Sequence, residues 1–402
     1  MLAGFGKENI DPPAGAELSG YGYYLERKNT GAMDHLYARC LYLENPEEKF
    51  AVVSCDLIGL SPEICAAARE LARTRLGIAP EKLMICATHT HTGPASARLE
   101  GCGVMHPGYA ASLPDKIFAA VKKAAEDKAQ VTEEKTADAK IEPIGFNRAI
   151  AGGPHDDHVR GALFARSGRS SVALVSYACH PVTLGPLDRF SPDYPGEVCQ
   201  CFEEQGVSPV FLTGICGDID PVNNLIKWGS GTKEIIRGYG ERIFEGFYKN
   251  LTPAEPAFGT DHFETELPVV PLKPEELDSY RERAGHEKTF AAWKKAMTEL
   301  EPATDRERIE IRAVRTGDLV FASVPYEAFT CIGDRLREAF PNAFVAGCSD
   351  GIRGYLPSRE DWDGGAYAAI GAAFIYLRPF FAKGAAELLG ETLRDRLAET
   401  LR

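Results

Sequence analysis

The stretch that decides the fold is FAVVSCDLIGL (Phe50–Leu60), continuing through SPEICAAARELARTRLG (61–77) and returning as KLMICATHTHTGP (82–94). The first and last segments are apolar runs of strand length, rich in β-branched residues and too short for buried helices. Between them, Ser61 offers a side-chain cap, Pro62 fits the first helical position, and Glu63 complements the positive helix terminus. This spacing predicts a helix over 62–76 and therefore a strand–helix–strand unit. The pattern recurs twice. SVALVSYACHPVTLGP (171–186) leads through a helix over 194–204 into PVFLTGICGDIDP (209–221), and DLVFASVPYEAF (318–329) leads through a helix ending near Phe340 into AFVAGCSDGIRGYLP (343–357). Three such units indicate an α/β architecture, with mixed sheets flanked by helices.

The chain is read as a single catalytic domain over 1–402. Residues 251–310 differ in texture. They are charged, and Leu277, Tyr280, Phe290 and Trp293 recur at helical spacing, so a helical excursion is expected there, either a lid or a buttress. Residues 382–401 read as a closing amphipathic helix.

Composition narrows the function classes. The 402 residues carry 45 Lys and Arg against 58 Asp and Glu, a net charge of −13, which repels nucleic-acid phosphates and anionic lipid headgroups. The longest apolar run, Ala368–Leu377, is half of a membrane span, so no span is expected. The N-terminal residues lack the basic-then-apolar order of a secretory signal. Eleven cysteines, an odd number scattered through the apolar segments, suit small buried side chains in a reducing cytoplasm. No CxxC spacing supports a structural zinc, and no P-loop, GxGxxG or GxSxG is present.

In each unit the chemistry-bearing side chains gather where a strand gives out, which is where open α/β sheets collect ligand-binding groups. His89 and His91 are two apart on an extended segment, so both can face one cavity, and imidazole is a common zinc ligand. His180 and Glu327 occupy equivalent positions in the second and third units. Asp218 and Asp220 are again two apart, so one can serve as a general base while the other holds the loop. Arg148, in GFNRA, suits either an oxyanion clamp or a surface ion pair; Tyr355 and Tyr367, among glycines, suit either a site or plain packing. His155 and His158, in GGPHDDHV, lie in a polar stretch with no hydrophobic frame and are set aside.

Taken in order, GKENIDPPAGAELSGYG, THTHTGP, NRA, YACHPVTLGP, SPDYPGE, GICGDIDP, VPYE and GYLPS through GGAY resemble the catalytic domain of the neutral/alkaline (non-lysosomal) ceramidase family, over about residues 3 to 370. The resemblance implies a zinc-dependent amidase with one ion per chain, its ligands matching His89, His180, Glu327 and Tyr355. It places His91, Arg148 and Tyr367 around the metal-bound water and the scissile carbonyl, and the twelve-residue step from Tyr355 to Tyr367 agrees with it. Three departures stand out. Asp220 replaces the family's serine, so direct attack by water, aided by Asp220 or His91, takes the place of a serine nucleophile. Tyr326 stands where the family prefers glycine and is expected to narrow the pocket. The family's C-terminal immunoglobulin-like domain has no counterpart in these residues. The expected substrate is a soluble small-molecule N-acyl compound rather than ceramide. A zinc esterase or lactonase, and a non-catalytic ligand-binding protein that keeps the metal cradle, are the alternatives.

Overall fold

The computed structural model describes residues 1–255, 257–300, 305–365 and 367–402. One topology occurs three times. The first copy is β1 (Leu2–Asn9), β2 (Tyr37–Glu44), β3 (Lys49–Cys55), then α1 (Pro62–Leu76) and β4 (Leu83–Ala87). β1, β2 and β3 form an antiparallel meander, and β4 returns parallel to β3. After α2 (Pro107–Glu126), the second copy is β5 (Ala129–Lys140) and, past the short β6 (Gly145–Asn147), β7 (His158–Arg166), β8 (Arg169–Tyr177), α3 (Tyr194–Glu204) and β9 (Ser208–Thr213). It has the same antiparallel meander and the same parallel return.

The short β10 (Ile219–Pro221), α4 (Lys233–Lys249) and β11 (Thr252–Pro253) precede the third copy. This consists of β12 (Phe258–Pro268), α5 (Glu287–Glu299), β13 (Arg306–Thr316), β14 (Leu319–Ser323), β15 (Glu327–Ala328), α6 (Cys331–Arg337) and β16 (Phe344–Ala346). Here β12, β13 and β14 make the meander and β16 the parallel return. The first two copies join through β1 and β5 into a nine-stranded sheet in which β11 also pairs with β5, while the third forms a separate four-stranded sheet.

Alternation along the central strands explains how the sheets stack. In β3, Phe50 and Val52 face one core while Ala51, Val53 and Cys55 face another. In β8, Val172 and Leu174 join the first of these, and Ala173, Val175 and Tyr177 face α3 and α4. In β14, Leu319 and Phe321 join it too, while Val320 and Ala322 face α6 and the C-terminal helix Ala385–Thr400. The shared core is thus the seam between the two sheets, where Phe321 stacks on Phe344 at 5.3 Å. Helices cover both outer faces, giving a helix–sheet–sheet–helix sandwich. Strands buried on both sides must read as unbroken apolar runs, as they do.

α1 has the expected bounds: the Ser61 side chain accepts from the Ile64 N–H, and Gly77 closes the helix at φ 63°. The 251–310 excursion is helical only in its middle. Its flanks are β12 and β13, which pair along eleven residues, and a tight helical run Pro274–Ala284 and α5 rise between them; residues 256 and 301–304 of that stretch lie outside the described ones. Leu277, Tyr280, Phe290 and Trp293 pack on Phe374 and Phe380, so the insertion backs the 367–380 segment. All eleven cysteines are free thiols, and ten are buried. Among the described residues, no helix is long and apolar enough to cross a membrane.

Candidate metal centre and active site

The three copies deliver their chemistry to one point because the ends of β4, β9 and β16 are tied together. Cys86 bridges Ser349, Gly214 bridges Ala346, and the Gly217 N–H donates to the Ala328 carbonyl at 2.9 Å. Gly217 is required there, since a Cβ would lie 2.4 Å from the Glu327 carbonyl oxygen.

His89 leaves β4 at φ 67°, a conformation uncommon outside glycine and characteristic of functional positions. Its backbone N–H donates to the Leu57 carbonyl at 2.8 Å, and its Nδ1 lies 2.5 Å from the Ile58 carbonyl. His180, past the end of β8, sets its Nδ1 2.8 Å from the Cys216 carbonyl. A carbonyl only accepts, so each Nδ1 carries a hydrogen and each Nε2 points inward, where it offers a lone pair to a cation once its own proton is gone. Those two Nε2 atoms are 2.9 Å apart. The Nε2 of His91 is 3.2 Å from that of His89, and the three imidazoles form the only such cluster among the described residues.

Glu327 completes the group from the third copy. Its Oε2 lies 3.1 Å from both the His89 and His180 Nε2 atoms, yet receives no hydrogen bond. Its Oε1 accepts from the phenol of Tyr376. Facing lone pairs and an unpartnered carboxylate oxygen, all buried, are costly unless a cation sits among them. Atoms around a tetrahedral zinc with bonds of about 2.0–2.1 Å lie roughly 3.3 Å apart, close to the separations observed. The electrostatics show that the pocket favours a positive charge, which a proton supplies when no metal is bound. Against burial and Arg148, contacts with Cys216 and Glu327 raise His180 to about 10. Against burial, His89 and His180 hold the Glu327 carboxyl well below its usual range. Burial and the neighbouring imidazoles push His91 well below the ordinary histidine value, and Gly20 leaves no room for a Cβ against its ring.

The remaining expected residues form a network beside this cluster. Glu327 and Tyr355 are register partners in the parallel bridge of β15 with β17 (Tyr355–Leu356), so their side chains leave the same face. Arg148 donates from Nη2 to the Tyr355 oxygen at 2.8 Å and to the Gly217 carbonyl at 2.9 Å, and from Nη1 to Asp220 Oδ1 at 3.0 Å. The other Asp220 oxygen accepts from Trp228 Nε1 at 3.2 Å and Asn224 Nδ2 at 3.3 Å. Tyr367, half exposed, stands edge-on to Tyr355 with ring centroids 5.7 Å apart. All eight expected site residues therefore belong to one contiguous constellation.

Local sequence explains the framing. Asn147 Oδ1 accepts from the Ala149 and Ile150 N–H groups, an Asx-type turn that presents Arg148, while β6 pairs with β10 to bring Asp220 beside it. Asp218 holds the loop after β9 by accepting from the Thr330 N–H and hydroxyl. Asp193, at φ 59°, accepts from the Thr183 and Leu184 N–H groups and so fixes the turn that follows His180. Tyr326 does not narrow the site. It alternates with Glu327 and points the other way, into the core, donating to Glu307 Oε1 at 2.9 Å and packing edge-on to Phe381. His158 pairs with Asp138 at 2.7 Å, a carboxylate that also pairs with the buried Arg160, apart from the cluster. Sequence reading missed Tyr376 and Trp228. The first sits in an apolar run that reads as core, the second in a loop without a motif.

A four-layer α/β sandwich with a buried imidazole–carboxylate cluster where its three repeated units meet is the class these observations define. Among solved structures the chain is similar to the neutral ceramidase from Pseudomonas aeruginosa, with a TM-score of 0.75 and 18% identity, covering 98% of this chain and 74% of that one. It is likewise similar to a ceramidase complexed with C2, with a TM-score of 0.76 and 16% identity over the same shares. The chain has the neutral-ceramidase fold. No family model matches it, and no curated protein does.

Proposed function

We propose that the protein is a zinc-dependent hydrolase that cleaves the amide bond of a small N-acyl substrate. The observation that carries this reading is the meeting of the His89, His91 and His180 Nε2 atoms with Glu327 Oε2 in one buried cluster, with the Nδ1 atoms of His89 and His180 spent on backbone carbonyls. His89, His180 and Glu327 would hold the ion, and Tyr355, beside Glu327 in register, would add a fourth ligand. When bound, zinc supplies Lewis acidity toward a carbonyl and lowers the pKa of water to about 7.

The chain's own residues do the rest. Arg148 and the half-exposed Tyr367 flank Tyr355 and serve as donors to the carbonyl oxygen as charge develops there. His91, kept neutral and with Nε2 facing the cluster, accepts the proton of the attacking water and returns it to the leaving amine. Asp220 is a brace in this scheme rather than a base, because Arg148, Asn224 and Trp228 already occupy its two oxygens. The fold shared with ceramidases supports amide chemistry.

The test is metal content by mass spectrometry together with hydrolysis of a panel holding soluble N-acyl amino compounds, ceramides, esters and lactones. About one zinc per chain and turnover of soluble amides, both lost in His89→Ala, are expected. Zinc-free active protein, or activity confined to esters, would overturn the reading.

A further inference from the structure

The carboxylate of Glu327 is a two-ended group, and the two ends are treated differently. Oε2 faces the imidazoles of His89 and His180 and accepts no hydrogen bond, whereas Oε1 accepts from the phenol of Tyr376. A carboxylate pivots about its last side-chain torsion, so without a partner on Oε1 it is free to rotate either oxygen, or both, toward a cation. A single strong donor on Oε1 removes that freedom and leaves one oxygen for the cluster.

The fold holds the donor in place. Tyr376 closes the short helix Ala372–Ile375. The following residue, Leu377, turns the chain at φ 51°, and the Arg378 N–H donates to the Ala373 carbonyl at 3.1 Å. Behind this segment, Phe374 and Phe380 are packed against Trp293, whose indole N–H donates to the Arg378 carbonyl at 2.8 Å. The Tyr376 ring lies edge-on to Tyr355 at 6.4 Å and packs beside Phe329, so the phenol is held against a candidate ligand while the chain on either side of it rests on the helical insertion.

We infer that Tyr376 is a positioning residue that fixes Glu327 as a one-oxygen ligand, and that the insertion carrying α5 acts on the metal centre through it. This rests on the metal reading above. It also gives the 274–299 insertion a purpose beyond covering surface: its Trp293 is the backstop for the segment that aims the phenol.

The experiment uses the full metal-free chain, wild type and Tyr376→Phe, titrated with zinc against a fluorescent chelator. Cobalt(II) absorption spectra and unfolding of the metal-free proteins are recorded alongside. Tyr280→Phe, which removes a phenol from the aromatic cluster behind this segment without touching Glu327, is the comparator. Zinc affinity is expected to fall by about 10–100-fold in Tyr376→Phe, with a shifted cobalt band, an unchanged metal-free unfolding midpoint, and wild-type affinity in Tyr280→Phe. Equal affinity and an unshifted band in Tyr376→Phe would overturn the assignment. So would loss of cooperative unfolding in that variant without metal, which would make the phenol a general packing element. If wild-type protein binds no zinc, the metal reading fails first and this inference with it; if wild type binds zinc and Tyr376→Phe binds it equally, only this inference fails.

Discussion

Two histidine pairs in this molecule look alike in sequence and differ in every physical respect. His89 and His91 end a fully buried strand, and His89 has its Nδ1 against a backbone carbonyl and its Nε2 facing another imidazole. His155 and His158 lie on a polar stretch, and His158 spends its Nδ1 on Asp138, a carboxylate it shares with Arg160. The difference teaches that a metal centre is made less by ligand residue types than by what removes their alternatives. A buried imidazole whose donor nitrogen is already committed has nothing to do with its lone pair but bind a cation. An exposed one has water and a neighbouring carboxylate.

The sharpest way to break this contrast is to delete one histidine from each region. His180→Ala should reduce zinc content to near zero and amide turnover by at least about 1000-fold, because it removes one of the two facing lone pairs. His158→Ala should keep both zinc and turnover, and cost at most about 1 kcal/mol of stability as a surface contact. Metal analysis and kinetics on the two variants check it; comparable losses in both would dissolve the distinction.

A smaller effect separates holding the ion from handling the substrate. Arg148→Ala should lower kcat by roughly 100–1000-fold at unchanged zinc content, the usual loss for one oxyanion donor. Asp220→Asn, which keeps the shape but weakens a charge-assisted bond to Arg148, should cost only about tenfold. A collapse in the asparagine variant as deep as that of Arg148→Ala would restore Asp220 to the role of general base.

The smallest effect contrasts two buried glutamates. Imidazoles hold Glu327 low, but Glu134 has only the Thr316 hydroxyl and is pushed by burial up to about 7. Its pKa in the unfolded chain is lower, so between about pH 4.5 and 7 the folded state binds the extra proton and stability falls as pH rises. Above that window the cost is fully present. Glu134→Gln should remove this component, so its melting temperature should exceed that of wild type by a few degrees at pH 8 and not at pH 4.5. A difference that does not change with pH would contradict the assignment.

How much of this was legible in the residues depended on locality. The Ser61–Pro62 start and Gly77 stop define α1 because caps are local chemistry, and the strand-end positions of His89, His180 and Glu327 follow from where apolar runs cease. The stacking of two sheets was not legible, since Phe50 and Ala51 reveal that both faces of β3 are buried but not which layer covers each. The polar strand β12 hid inside a charged stretch because it is a half-exposed edge whose pairing is supplied by β13. Tyr326 misled because a tyrosine where the resembling family prefers glycine suggested a narrower pocket, whereas strand alternation turns it away from Glu327 and into the core. Tyr376 was invisible, since only the tertiary fold brings its hydroxyl to Glu327 Oε1.

The claim on which all of this depends is that one cation belongs where residues 89, 180 and 327 meet. An anomalous difference map at the zinc edge, from crystals of the protein prepared without added chelator, addresses it most directly. The account predicts a single strong peak per chain within about 2.0–2.2 Å of His89 Nε2, His180 Nε2 and Glu327 Oε2. A map without a peak there from zinc-supplemented crystals, or with its strongest peak at His158, would contradict it.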